Sequence, residues 1–224
     1  MVTQKDIVVY SCITGGRDNI KHITHRDNFR YVMFTDREVK DDCGWEIVRI
    51  TSLNHLISAR YHKHHPQQLF PEAKVSIWLD GTHWPYSSLE PLLDYLGDAD
   101  IAASRHFCRS TVFEEVTTCA EAGFDAEETF NTQLATYQNE GFPDTLGLYE
   151  TSYLVRRHTE RLLQFQKLWW QEMTQHSMRD QISLMYCLWK HNFPISTIPG
   201  QCRLGHNEFF KMKPHRKNPA LILL

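Results

Sequence analysis

The stretch Ser76-Ile77-Trp78-Leu79-Asp80-Gly81 runs apolar and then halts on a carboxylate followed by glycine. An acid delivered by a buried strand is costly unless it is hydrogen-bonded, paired or bound to a cation, and the glycine admits a tight turn or a close ligand. The plainer reading is an Asp-Gly turn that closes the strand, and from these residues alone the two readings stand level. Two other candidate strand ends carry polar chemistry, Thr14-Gly15-Gly16-Arg17-Asp18 and Phe34-Thr35-Asp36. The first offers backbone N–H groups and a guanidinium to a nucleotide, although it matches neither the P-loop nor the dinucleotide fingerprint. Arg60, Lys63 and Lys74, among the histidines around Tyr61-His62-Lys63-His64-His65, could neutralise a diphosphate, Arg as a bidentate fork and Lys as a point charge. In isolation they read as a solvated basic helix face.

Further along, Glu150 and Thr151 interrupt an apolar run, and Asp180-Gln181 open a helix in which Asp180 serves equally well as an N-terminal cap. Glu114-Glu115 reads as an exposed acidic pair, and Trp169, Trp170 and Trp189 read as core. The thirteen histidines form no H-E-x-x-H motif and read mostly as surface residues. The six cysteines form no C-x-x-C pair and no tight framework, which points to reduced thiols rather than a zinc or redox centre.

These residues need a scaffold, and the first half supplies the alternation of an α/β domain. Strands are expected at 7–13, 31–35, 45–50, 75–79 and 101–104, with helical spacing at 53–70 and 88–96, the latter capped by Ser87 or Ser88. The second half turns helical, at 111–122, 126–139, 160–174 and 180–190, with strands at 146–155 and 195–198 and a basic tail. No repeat or Gly/Ser linker divides the chain, so one domain over 1–224 is expected. In an open α/β sheet, ligands bind beyond the carboxyl ends of the strands, where the polar residues above fall.

With 224 residues, 42% hydrophobic and 23% charged, the composition is that of an ordinary globular protein. A net charge of -3 argues against a constitutive grip on nucleic acid or anionic membrane, while Lys211, Lys213, His215, Arg216 and Lys217 leave a nucleic-acid acceptor open. The start lacks a signal-peptide apolar region and no run of roughly 18 apolar residues exists, so the reading is a soluble, cytoplasmic chain without a membrane span.

The order of Cys12-Ile13-Thr14-Gly15-Gly16-Arg17-Asp18, Phe34-Thr35-Asp36, Gly44-Trp45-Glu46-Ile47, Leu69-Phe70-Pro71, Trp78-Leu79-Asp80-Gly81, Gly141-Phe142-Pro143, Gly147-Leu148-Tyr149-Glu150-Thr151, Arg156-Arg157-His158, Trp169-Trp170-Gln171-Glu172 and Arg179-Asp180-Gln181-Ile182-Ser183 resembles the TOD1/MUCI70 glycosyltransferase-like family, once called DUF616. The resemblance spans roughly residues 7–190. It implies a GT-A-like α/β fold with a mixed central sheet flanked by helices, a nucleotide-sugar-binding half over 1–105 and a helical, acceptor-binding half over 106–224. It implies transfer of a hexosyl or pentosyl group from a nucleoside-diphosphate sugar to a glycan or other hydroxyl. The alternatives are a non-catalytic nucleotide-sugar or glycan-binding module, and a transferase acting on a nucleic-acid base.

By the same resemblance Asp80 stands where GT-A enzymes place the first acid of a D-x-D motif that holds Mn²⁺ or Mg²⁺. The second position is Thr82, so His206 or His215 is expected to complete the metal site. Thr14, Gly15, Arg17, Asp36, Arg60, Lys63, Asp80 and Gly81 are then expected to line the donor site. Asp180, Gln181 and Glu150 are expected at the reacting sugar, where Asp180-Gln181 is similar to a pair in retaining enzymes.

Overall fold

The computed structural model describes residues 6–201, 207–213 and 215. Ile7–Ile13 (β1), Arg30–Thr35 (β2), Glu46–Arg49 (β3) and Val75–Leu79 (β4) form parallel neighbours, with β1 between β2 and β4. Ile101–Ser104 (β6), Tyr153–Arg157 (β7) and Ser196–Ile198 (β8) extend the sheet to seven strands in the order β3-β2-β1-β4-β7-β6-β8. Only β7 runs against its neighbours, which makes the sheet mixed. His83–Pro85 (β5) pairs antiparallel with Phe210–Met212 (β9) in a separate two-stranded ribbon that no sequence signal announced.

Side chains alternate across the sheet, as the period of two requires. Val8, Tyr10, Cys12, Val32, Phe34 and Trp78 face one layer of helices, His55–His64 (α1), Val112–Glu121 (α3), Glu127–Asn139 (α4), Glu160–Gln175 (α5) and Asp180–Lys190 (α6). Ile7, Val9, Tyr31, Met33, Ile77 and Leu79 face the other side, where Leu89, Leu92 and Leu96 cover them. Both faces are buried, so β1 and β4 read as continuous apolar runs.

Three sequence expectations require correction. The helix expected over 53–70 stops at His64 and restarts as Pro66–Leu69 (α2), because Pro66 has no N–H and biases His65 away from helical backbone. The element at 88–96 is a 3-10 helix, Glu90–Leu96, capped from a distance: Leu89 N donates to Asp27 Oδ2 at 2.8 Å and Ser88 Oγ to Asp27 Oδ1 at 2.7 Å. The strand expected over 146–155 begins only at Tyr153 and runs through Arg156 and Arg157. Gly147 turns the chain at φ +79, and the residues before Tyr153 are diverted towards the cleft, apart from a bridge between Arg105 and Tyr149.

Arg156 is fully buried on β7, where its guanidinium donates to the Lys63 carbonyl at 2.7 Å and to Tyr10 Oη. Tyr10 Oη also donates to that carbonyl at 3.1 Å, so one polar knot fixes the last turn of α1 to the sheet. Burial lowers the Arg156 pKa and raises that of Tyr10 to about 12, so the pair stays cation and neutral phenol. Arg156→Met removes the donor to the phenol and leaves the Lys63 carbonyl only its weaker bond from Tyr10, and urea unfolding should show a loss on the order of 3 kcal/mol with the m-value unchanged.

Candidate active site

Beyond the carboxyl ends of β1 and β4, where strand order reverses, a cleft of about 610 Å³ opens. One wall comes from the turn after β1 with Thr14, Gly15, Arg17 and Asp18, from Arg60 and Lys63 of α1, and from Asp80 and Gly81 after β4. The other comes from Arg109, Glu115, Phe124, Thr151 and the first residues of α6, Arg179 to Gln181.

The turn after β1 is built locally. Gly15 has φ +61 and donates its N–H to Asp36 at 2.9 Å, and Asp36 also lies 3.0 Å from His55 Nδ1. Thr14 Oγ1 donates to the His55 carbonyl at 2.7 Å, so Asp36 and Thr14 tie this turn to the start of α1. A Cβ on Gly81 would stand 2.8 Å from Ile13 Cγ1, and the Gly81 carbonyl accepts from Lys21 Nζ at 2.8 Å. Glycine at 81 therefore serves close packing of the two strand ends.

Lys63 organises the floor. Its side chain is 1% exposed and its Nζ lies 2.6 Å from Asp180 Oδ2 and 3.4 Å from Asp80 Oδ1. Arg60 Nη1 is 2.9 Å from the same Asp180 oxygen, and His64 Nε2 is 3.9 Å away. Burial alone would raise the Asp180 pKa, but Arg60, Lys63 and His64 hold it well below the usual carboxylate range. Burial lowers that of His64 to about 4. Asp80 also accepts from Trp78 Nε1 at 2.7 Å, again through Oδ1. Its Oδ2 has no hydrogen-bond partner among the described residues, and the side chain is 35% exposed in the cleft.

Asp180 is therefore no cap. Arg179 holds the N-cap position of α6, and the Asp180 carboxylate belongs to the cation cage. The face carrying Arg60 and Lys63 is likewise not solvated, because Lys63 is buried and both cations are engaged by Asp180. Gln181 lines the cleft and accepts from Thr151 N at 3.4 Å. Glu150, 1% exposed, does not line it and accepts from Ser152 Oγ at 3.2 Å. Asp36 also stands behind the lining. Lys74 pairs with Asp6 at 2.9 Å, outside the cleft.

Thr82 faces away, buried with its hydroxyl 3.0 Å from His83 Nδ1. His215 does line the cleft, with Nδ1 2.9 Å from Asp18 Oδ2, whereas His206 lies outside the described residues. Asp80, Asp18 and His215 thus share the cleft, and sequence reasoning had not singled out Asp18 although it closes the Thr14-to-Asp18 stretch. Glu115 was also misread: it is 1% exposed, 2.6 Å from Arg109 Nε and 3.8 Å from Arg179. Of the twelve described histidines, His62, His64, His83 and His106 are buried and the other eight are exposed or half-buried, which leaves most of them at or near the surface as expected. Lys211 and Lys213 of the basic tail lie over the rings of Tyr86 and Trp84, at 3.9 and 5.9 Å.

Residues 1–200 match the family model described as TOD1/MUCI70, glycosyltransferase-like domain. The chain belongs to that family. Among its relatives is the probable hexosyltransferase MUCI70 of Arabidopsis thaliana, 27% identical over 212 residues, with 80% of this chain and 36% of that protein covered. The chain thus spans about a third of the length of the curated relative it matches. Mouse xyloside xylosyltransferase 1, in its apo form, superposes at TM-score 0.53 with 9% identity, over 85% of this chain and 84% of that one. The apo WbbM bifunctional glycosyltransferase aligns at TM-score 0.48 with 14% identity, over 86% of this chain and 38% of that one. The fold of this glycosyltransferase-like domain is GT-A-like, as the sequence resemblance implied. No helix among the described residues is long and apolar enough to cross a membrane.

Two measurements check this geometry. Asp180→Asn leaves Arg60 without its counter-charge and Lys63 with only Asp80 at 3.4 Å, and chemical denaturation should show a loss of roughly 3 kcal/mol, well beyond that of a lost cap. His64 is neutral in the folded chain down to about pH 4, whereas the unfolded chain protonates it near 6.5. Between those values the unfolded state binds the extra proton, so acidification from pH 7 to 4.5 should cost roughly 2 to 3 kcal/mol through His64, and His158, which burial also lowers to about 4, adds to that loss. The low Asp180 pKa keeps its ion pairs intact across this window, since their contribution fades only below about pH 3.8. A His64→Gln variant should make the stability profile shallower there by that share, while the part due to His158 remains.

Proposed function

We propose that this domain transfers a sugar from a nucleoside-diphosphate donor to an acceptor hydroxyl, with the donor on the β1–β4 side of the cleft and the acceptor beside α3 and α6. The observation that carries this reading is the pair of acids joined by Lys63. Asp80 keeps Oδ2 open to the cleft, and Asp180 is held ionised at the opposite side of the same cation.

In this reading the Gly15 turn and Arg17 hold the nucleoside diphosphate, and the Lys21 contact keeps Gly81 close enough for the phosphates to approach. The donor set fits a divalent ion: Asp80 would hold it with Asp18 or His215, carboxylate oxygens alone suiting Mg²⁺ or Mn²⁺ and an added imidazole favouring Mn²⁺. Such an ion would supply Lewis-acid stabilisation of the departing diphosphate. Arg60 and Lys63 add fixed positive charge near that end of the cleft, although their first task is to neutralise Asp180.

Asp180 is suited to electrostatic work. A carboxylate pinned by two cations is a poor proton acceptor, but it stabilises positive charge developing on the sugar without needing to reorganise. Gln181, one residue on, would orient a sugar hydroxyl. A facing ionised acid in place of a free general base favours retention of anomeric configuration. Glu150 would act behind the cleft, by holding Ser152 and the turn that carries Thr151.

Thermal shift across nucleotide sugars, with and without Mn²⁺, tests the donor site. Stabilisation should require both the ion and one class of donor, and Asp80→Asn should abolish the Mn²⁺-dependent part while keeping a native near-ultraviolet spectrum. Undiminished metal-dependent binding in that variant overturns the assignment. Donor affinity without hydrolysis or transfer would instead make the domain a binding module.

A further inference from the structure

We infer that His22, Asp41 and Cys43 form a binding site for one divalent ion of the Zn²⁺ type, outside the cleft. Their ligand atoms lie within 4.8 Å of one another, and His22 Nε2 is 3.4 Å from Asp41 Oδ2. Ligands at 2.0 to 2.3 Å from a tetrahedral ion stand roughly 3.3 to 3.8 Å apart, so this spacing needs little closure to seat the metal. Nitrogen, carboxylate oxygen and sulfur together are the donors that Zn²⁺ prefers, with water in the fourth position.

The site is preassembled from two loops, 14–29 and 36–45. Cys43 N donates to Asp41 Oδ1 at 2.9 Å, which leaves Oδ2 for His22. Ile23 N donates to the Cys43 carbonyl at 3.1 Å and Trp45 Nε1 to the Lys21 carbonyl at 3.0 Å, so the loops are clamped before any ion arrives. Cys43 itself sits at φ +54, a backbone conformation that a non-glycine residue adopts at a cost. Its thiol reaches the carbonyls of Ile20 and Asp41 only at 3.8 and 3.6 Å, contacts weak enough to give up for a metal–sulfur bond. A plain surface ion pair does not account for this arrangement: the His22 and Asp41 side chains are 69% and 67% exposed, where such a pair adds little to folding, and a nearly buried thiol converges on them.

The ion would displace the thiol proton and bind imidazole in its neutral form, so affinity should rise with pH. It would also brace the donor loop, because Lys21, next to His22, clamps the Gly81 carbonyl beside Asp80. The sequence hides the site, with His22 nineteen residues before Asp41 and Cys43 two residues after it.

The test is a titration of the full chain, freed of metal by chelation and carrying Cys108→Ser, to remove the thiol exposed among the described residues, together with Cys202→Ser, with Co²⁺ by absorbance and then Zn²⁺ by competition with a chromophoric chelator. One equivalent of Co²⁺ should give a thiolate-to-metal charge-transfer band that Zn²⁺ abolishes. Cys43→Ser and Cys43→Ala should both remove the band, and His22→Ala and Asp41→Asn should each weaken Zn²⁺ at least tenfold, all with unchanged far-ultraviolet spectra. Asp80→Asn should leave the band intact. No band in the parent, or a band that survives both Cys43 substitutions, overturns the site, and a band lost only with Asp80 assigns the ion to the cleft.

Discussion

A single ammonium group carries the heaviest constraint in this molecule. Lys63 Nζ, almost wholly out of water, stands between Asp80 at the end of β4 and Asp180 at the start of α6. A buried cation without partners is untenable, so both acids and the helix that bears Lys63 must arrive together. The backbone of the same residue is bound from behind by Arg156 and Tyr10. The ammonium end faces the cleft and the carbonyl end is fixed to the sheet, so the position of the two acids follows from the packing of β1, β7 and α1.

The sheet topology explains why those acids face a cleft at all. With β2 and β4 on opposite sides of β1, the connections leaving β1 and β4 part from one another above the strand ends. Thr14 to Asp18 and Asp80 to Gly81 line that gap, and the facing wall is supplied by elements that come much later in the chain. The two halves are joined electrostatically: Arg60 and Lys63 from the first half meet Asp180 from the second.

Most of the scaffold was legible because it rests on local signals. β1, β2, β4 and β6 are apolar runs bounded by polar turns, and the helical spacing over 111–122 is met by α3, whose capping box at Thr111 and Glu114 is a local device too. What stayed hidden depends on partners distant in sequence. Asp27 caps an element more than sixty residues away, β5 waits for β9, and Glu115 is buried only because Arg109, Arg179 and His106 surround it. Of the cleft residues, Asp80 and Asp180 stood out by type and place. Their dependence on Lys63 did not, since a lysine on a helix ordinarily signals solvent. His22, Asp41 and Cys43 were passed over because metal motifs are read from short spacings.

The reversed strand β7 anchors the outer wall of the cleft. Held on one edge by β4 and on the other by β6, it is locked in register from both sides, and Asp80 N donates to the Ser152 carbonyl just before it. The segment between Arg105 and Ser152 therefore leaves and re-enters the sheet at two anchored points. Between those anchors α3 and α4 are also bound to α6, by Glu115 against Arg179 and by the stacked rings of Tyr137 and Tyr186, so a change of length or shape in this segment reaches Asp180 through the helix that carries it.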